Sequence, residues 1–303
     1  MNQGFVTSDD GARLFFQQVG DGPSLVVIPN ALFMFDDFSR LAAANRTLVF
    51  IDWRNRGHSE TLTDPALWQR GIHHDVDDLD VVRRYFGASQ ISVIAHSYSC
   101  ISAALYAMKY PTQAARIVQM GPMEPFTGTE YPEHLKWADA GLAQFHADMQ
   151  LLMATFNPAE PGDFSRKFWA LLRRLYVLNP ADADRLKWDA SGVPNEFGFM
   201  KRWVATVLPS IQARHFTAID CAAVRTPSLV IHGRKDRSAP YGGGKEWAHV
   251  LGNARLLTID EAAHVPWIEA PDAVFGAIDT FLNGEWPAPA RQVTSMDASM
   301  DDD

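Results

Sequence analysis

The chain has 303 residues, enough for one large domain or two modest ones with ample core. Hydrophobic residues at 47% and charged residues at 21% describe an ordinary globular protein, and a net charge of −9 with no basic cluster argues against nucleic acid as a partner. The only cysteines, Cys100 and Cys221, give no disulfide framework and no metal spacing, and no run approaches the roughly 20 apolar residues of a membrane span.

From the N-terminus, residues 1–10 lack the basic and apolar regions of a signal peptide, so a cytoplasmic protein is expected. Phe5–Thr7 and Arg13–Val19 read as a hairpin around Asp9, Asp10 and Gly11. Ser24–Ile28 is a buried strand leading into Pro29, Asn30, Ala31, Leu32, Phe33, Met34 and Phe35. Thr47–Asp52 is a second, closed by Trp53, Arg54, Asn55, Arg56, Gly57, His58 and Ser59. Val76–Phe86 is an amphipathic helix ended by Gly87.

Ile91, Val93 and Ile94 begin a strand apolar on both faces, and from Tyr98 helix formers run to Pro111. Between them, Ala95-His96-Ser97-Tyr98-Ser99 is a G-x-S-x-G pattern with both glycines replaced by small residues. Such a turn lifts a serine onto the carboxyl edge of a sheet, with a helix N-terminus behind it facing any developing oxyanion. An ordinary turn serine is the competing reading, and the pentapeptide alone does not choose. Ala115–Val118 continues the strand pattern to Gly121 and Pro122.

Strands alternating with helices mean an α/β fold with a mostly parallel sheet. Residues 124–217 interrupt the rhythm with three helical stripes. These are Leu135, Leu142, Phe145, Met149, Leu152 and Met153; Phe164, Phe168, Leu171, Leu172 and Leu175; and Phe197, Met200, Trp203, Val204 and Val207. The alternation resumes with Ser228–His232, a helix near Lys245–Leu251, Arg255–Ile259 and a last helix from Glu269 to Leu282. The expected organisation is a core of residues 1–123 and 218–285 with a helical cap, 124–217, inserted between. Residues 286–303, rich in Pro, Ser, Met and Asp, read as an acidic, disordered tail.

Asp236 stands just past the end of one late strand and His264 just past the next. The order Ser97, Asp236, His264 at strand ends resembles the α/β-hydrolase triad, and the resemblance covers roughly residues 5–285. It implies helices on both faces of the sheet, Ser97 as nucleophile, His264 as proton carrier, and Asp236 as the group that fixes the imidazole tautomer. His264-Val-Pro-Trp-Ile-Glu269-Ala-Pro271 is similar to the family's H-x-x-x-x-E-x-P run, with Glu269 starting the last helix. Asp260 and Glu261 are runner-up acids, too near His264 in sequence to orient it comfortably. The family usually writes His-Gly where this chain has Pro29-Asn30. Asparagine also visits the left-handed region, so the turn survives, and by position the backbone N–H groups of Ala31 and Tyr98 would be the oxyanion donors. Asn30, Leu32 and Phe33 are the expected pocket residues, although the run from Leu32 could equally pack under the cap.

Other features read as structural. His96 should point away from its neighbour Ser97. His73, His74, Asp75, Asp77, Asp78 and Asp80 suit a helix N-terminus, with no zinc spacing. Arg54 and Arg56 resemble the family's R-G-x-x-S turn, and Cys100 packs the helix after Ser97. The whole reads as a cofactor-free serine hydrolase, with no metal, acting on a small-molecule carboxylic ester through an acyl-enzyme. The alternatives are a proline-iminopeptidase-like enzyme, for which Glu124, Glu130 and Glu133 could hold an α-amino group, a C–C bond hydrolase or lactonase, and a ligand receptor on the same fold. Neither a membrane nor a nucleic-acid partner is expected.

Overall fold

Eight strands form one sheet in a computed structural model that describes residues 2–157, 160–188 and 192–297. They are β1 (Asn2–Thr7), β2 (Arg13–Val19), β3 (Ser24–Pro29), β4 (Arg46–Ile51), β5 (Ile91–His96), β6 (Ala114–Met120), β7 (Ser228–Gly233) and β8 (Ala254–Ile259). Their spatial order is β1-β2-β4-β3-β5-β6-β7-β8, with β2 antiparallel to both neighbours and every later pair parallel.

The strand order explains the continuous apolar runs. Successive residues of a strand face opposite sides, and here helices cover both. Val26, Ile28, Leu48, Phe50 and Ile94 pack on one side with α1 (Ala31–Phe38) and, at the chain's end, α11 (Pro271–Leu282). Leu25, Val27, Val49, Ile51 and Val93 pack on the other with α2 (Ile72–Tyr85), α3 (Ser99–Lys109) and α9 (Tyr241–Val250). Each fully buried aliphatic side chain contributes about 1.5–3 kcal/mol. Cys100, Ala103, Ala104 and Ala107 are all buried on α3, so small side chains let that helix lie close to the sheet.

Among the described residues, the segment between β6 and β7 holds helices and no strand: α4 (Ala140–Ala154), α5 (Pro161–Tyr176), α6 (Gly198–Arg202), α7 (Leu208–Gln212) and α8 (Ala218–Ala223). Details differ from the stripes read in the sequence. Leu135 lies in a separate 3₁₀ turn, Glu133–Leu135, and Met153 is exposed. The third stripe is broken by a π turn at Trp203–Val207, which leaves Val204 exposed while Thr206 and Val207 are buried. Pro209 supplies no N–H, so the regular ladder cannot run unbroken through this stretch.

Two further expectations are corrected. The last helix is split: α10 (Pro266–Glu269) closes at Glu269, because Pro271 forces Ala270 out of the helical region to φ −134°, ψ 59°. Residues 286–297 are not a loose tail. Arg291 exchanges both backbone hydrogen bonds with Leu256 of β8, and Ala290 and Val293 are buried. Polar composition hid these few apolar anchors. Residues 298–303, with the acidic terminal run, lie outside the described residues. Among the described residues no helix is long and apolar enough to cross a membrane.

Candidate active site

The chain steps from β3 to β4 on one side of the sheet and then returns to place β5 on the other side of β3. That reversal opens a crevice beyond the carboxyl ends of β3 and β5, the position where open α/β sheets bind ligands. β3 delivers Pro29 and Asn30 there, and β5 delivers His96 and Ser97.

Ser97 sits at φ 58°, one of three described non-glycine residues with positive φ. Its N–H donates to the Met120 carbonyl at 3.0 Å, and its own carbonyl accepts from Cys100 at 3.1 Å, the first turn of α3. The strand-to-helix corner is therefore as sharp as the pentapeptide implies, and holding a serine in the left-handed region costs of order 1–3 kcal/mol. Asn30 is a second such residue, at φ 69° and ψ 57°, immediately before α1. The asparagine thus takes the conformation for which a glycine would otherwise be needed. Both corners put a helix N-terminus at the same sheet edge. Ala31 opens α1 and Tyr98 caps α3, so their N–H groups have no acceptor within their helices.

Asp236 and His264 meet, although 28 positions separate them. His264 Nδ1 lies 2.8 Å from Asp236 Oδ2, and both residues are buried. A carboxylate only accepts, so Nδ1 carries the proton and the ring's lone pair is left on Nε2. Among the described residues no group hydrogen-bonds that Nε2. The other oxygen, Oδ1, accepts from the N–H groups of Ser238 and Ala239 at 2.7 and 3.0 Å, and His232 Nε2 approaches Oδ2 at 3.0 Å. Burial alone would raise the Asp236 carboxyl. The electrostatic pull of the His264 ring and the hydrogen bonds from His232 and His264 outweigh it and hold the acid well below the usual carboxylate range. The runner-up acids lie elsewhere: Asp260 pairs with Arg234 and Glu261 with Lys235, both on the surface.

The loop carrying His264 is tied on every side. Its N–H donates to the Tyr176 carbonyl at 3.0 Å, and its carbonyl accepts from His96 Nε2 at 3.1 Å. The imidazole packs against Tyr176 and His96, with ring centroids 4.4 and 4.5 Å away. Burial, reinforced by the neighbouring His264 ring, pushes His96 far down, so it stays neutral and serves as a donor to this loop. A Cβ at Gly121, at the end of β6, would come within 3.0 Å of His264 Nδ1. Glu269 bridges the segments, accepting from the N–H of Ala263 at 2.6 Å and from that of Leu178.

Several supporting groups were not singled out in the sequence. Asp52, at the end of β4, accepts from the N–H of Leu32 and of His58, each at 3.0 Å, and so anchors the start of α1 beside Ala31. Ser99 Oγ receives Asn30 Nδ2 at 3.4 Å and Trp53 Nε1 at 3.3 Å. A strand-end acid and a small residue carry no periodic signal, and only the fold brings them to the turn.

Two hollows meet at Ser97. The smaller, about 50 Å³, is lined by Asn30, Phe33, Met34, Arg56, His96, Trp169 and Trp188 among others. The larger, about 320 Å³, is lined mainly by Met123, Phe168, Met200 and Trp203. Ser97, Tyr98, Leu172 and Tyr176 face both. Of the three expected pocket residues, Asn30 and Phe33 are here and Leu32 is not. One helical turn directs Phe33 and Met34 inward, while the N–H of Leu32 is taken by Asp52. Glu124, Glu130 and Glu133 line neither hollow.

The acidic cluster at α2 is occupied by arginines. Arg54 pairs with Asp78 at 2.7 Å and with Asp10, and Arg202 pairs with Asp75. Burial, then the charges of Arg54 and Arg70, push the neighbouring His74 down to about 4. Arg54 is thereby a structural ion-pair partner, whereas Arg56 reaches the small hollow.

Comparison with known proteins matches residues 26–271 to a family model described as alpha/beta hydrolase fold. A proline iminopeptidase from Heyndrickxia coagulans is 22% identical over 93% of this chain and 98% of its own length. A 2-hydroxymuconate semialdehyde hydrolase from Pseudomonas putida is 24% identical over 80% of this chain and 78% of its own. Among solved structures, a serine hydrolase from the polyaromatic-hydrocarbon-degrading bacterium Cycloclasticus zankles superposes with a TM-score of 0.69 at 17% identity, covering 93% of this chain and 98% of that one.

Proposed function

Because the chain belongs to the α/β-hydrolase fold family, we propose that it is a serine hydrolase that cleaves a carboxylic ester through an acyl-enzyme. The observation that carries the reading is the buried His264–Asp236 pair, at 2.8 Å, with Nε2 left open at the same sheet edge as the strained Ser97 corner. Ser97 Oγ attacks the ester carbonyl and passes its proton to His264 Nε2. The tetrahedral oxyanion is received by the N–H groups of Ala31 and Tyr98. Collapse expels the alcohol, which takes the proton from His264. Water then attacks the acyl-enzyme with His264 as base, releasing the acid and restoring Ser97. The helices of residues 124–217 act as a cap whose aromatic underside excludes bulk water.

Aminopeptidase action is the less favoured reading. It would need a carboxylate facing the substrate's amine, and no Asp or Glu is among the described residues lining either hollow. A chain-length series of p-nitrophenyl esters, run beside a prolyl-naphthylamide, tests the choice. Turnover of short-chain esters without release of naphthylamine is expected, and the reverse pattern would overturn the proposal.

The turn at Asn30 gives a sharper test of the oxyanion reading. Asn30→Gly should keep kcat within a few-fold, since glycine adopts the same dihedrals and the hydrogen bond it removes, from Asn30 Nδ2 to Ser99, is a long one at 3.4 Å. Asn30→Val should lose about 10²-fold, because a β-branched residue resists positive φ and swings the Ala31 N–H away. Equal losses in the two variants, measured on one ester, would mean that the side chain rather than the backbone serves the reaction.

A further inference from the structure

A second imidazole sits on the catalytic acid. His232 stands at the end of β7, and its side chain and that of Asp236 are both fully buried. Its Nε2 lies 3.0 Å from Asp236 Oδ2 and 3.2 Å from the Ala239 carbonyl oxygen. Both oxygens only accept, so this ring carries its proton on Nε2 and its lone pair on Nδ1. That Nδ1 has no hydrogen-bond partner among the described residues, and a Cβ added to Gly244 would come within 2.2 Å of it. Glycine is a poor helix former, yet one stands inside α9 where the ring leaves no room for a side chain. Tyr241, on the same helix, packs edge-on against the imidazole at 5.8 Å.

Asp236 Oδ2 is thus shared by two imidazole N–H groups, from His264 at 2.8 Å and from His232 at 3.0 Å, while Oδ1 takes the N–H groups of Ser238 and Ala239. Together they fill the roughly four lone-pair sites of a carboxylate. Proton transfer from Ser97 uses the His264 bond alone. The other donors set how strongly the carboxylate pulls, because each spreads its charge. The remaining titratable or charged groups around the pair are His96 on β5, Tyr176 on α5, Glu269 on α10, and Arg56, whose charge reaches His96 and Tyr176.

We propose that His232 is a positioning residue for the triad: its Nε2–H takes one side of Asp236 Oδ2, which aims the other side at His264 and lessens the carboxylate's hold on the imidazolium formed when Ser97 attacks. Its use in a reaction rests on the serine-hydrolase reading, but the hydrogen bonds themselves are measured without turnover.

Three variants separate the bond from the bulk. His232→Phe keeps a ring and removes the N–H, His232→Gln brings an amide N–H to the place of Nε2, and His232→Asn brings one to the place of Nδ1. NMR of protein carrying 15N-labelled histidine should find His232 protonated on Nε2 and His264 on Nδ1. In His232→Phe the His264 Nδ1–H proton should move downfield, since Oδ2 keeps a single donor, and in His232→Gln it should stay near its place. The reaction is read from the rate of fluorophosphonate labelling at Ser97 against pH. The acid limb should move about one unit toward higher pH in His232→Phe and His232→Asn, and by less than half of that in His232→Gln. Gly244→Ala, which keeps every triad group and pushes the ring aside, should move the limb in the same direction. A merely structural role would slow labelling alike at every pH and leave the limb in place, and that result overturns the proposal. So does a His232 found protonated on Nδ1. Should the His232 variants fail to fold, Gly244→Ala decides, and an unmoved limb there overturns it. If the tautomers and the downfield shift are as stated, but the unmodified protein neither takes the label nor hydrolyses any ester, the hydrolase reading falls and the bond from His232 to the acid stands.

Discussion

Ser97→Ala is expected to lower kcat on the best p-nitrophenyl ester by about 10³-fold or more while leaving the thermal midpoint unchanged or slightly raised. The size follows from chemistry. Without Oγ there is no covalent route, and only water positioned beside the Ala31 and Tyr98 N–H groups remains. The effect on stability follows from geometry. Ser97 is held at φ 58° by the Met120 and Cys100 backbone bonds, neither of which involves its side chain. Alanine occupies the same backbone, so the corner persists. A fluorophosphonate probe should label the unmodified protein at Ser97 and spare the variant, with intact-mass and peptide mapping as the readout. Labelling elsewhere, or activity retained in the variant, would remove Ser97 from the mechanism.

The second large effect is expected at Asp236. Asp236→Asn should cost about 10⁴-fold in kcat, because an amide facing Nδ1 favours the tautomer whose proton sits on Nε2, where a lone pair is required. The site makes the penalty hard to escape: Oδ1 is fixed by the Ser238 and Ala239 N–H groups, and His232 crowds Oδ2. Asp260→Asn and Glu261→Gln should stay within a few-fold, since each breaks only a surface pair with Arg234 or Lys235. Steady-state rates for the three variants on one ester decide the matter. A comparable loss in Asp260→Asn would mean that the wrong carboxylate had been chosen.

Features that depend on neighbouring residues were legible in the chain. The doubly apolar strands, the Ser97 corner, and an asparagine able to stand where glycine is usual all follow from local pattern, and each is found in place. The meeting of Asp236 with His264 was legible through order at strand ends. What escaped reading was set by tertiary placement. Asp52 and Ser99 act on the Asn30 turn across the sheet, and Trp188 enters the small hollow from outside any helix, with no period to mark it. Arg54 and Arg56 looked alike as letters. The fold sends one into an ion-pair cluster and the other to the cavity. Leu32 is absent from the small hollow and Met34 lines it, because α1 begins directly after Asn30 and sets which of its residues face inward.

The pairing of Arg291 with Leu256 has a consequence for how copies of this protein meet. β8 is the last strand of the sheet, and its outer row of N–H and C=O groups would otherwise be a template for a strand from another molecule. Returning chain takes two of those groups at Leu256, and buried Val293 and Ala290 hold it there. Edge-to-edge polymerisation along this side must therefore first peel the returning segment away. Residues 286–297 guard this edge against self-association, and removing them would expose the strand they cover.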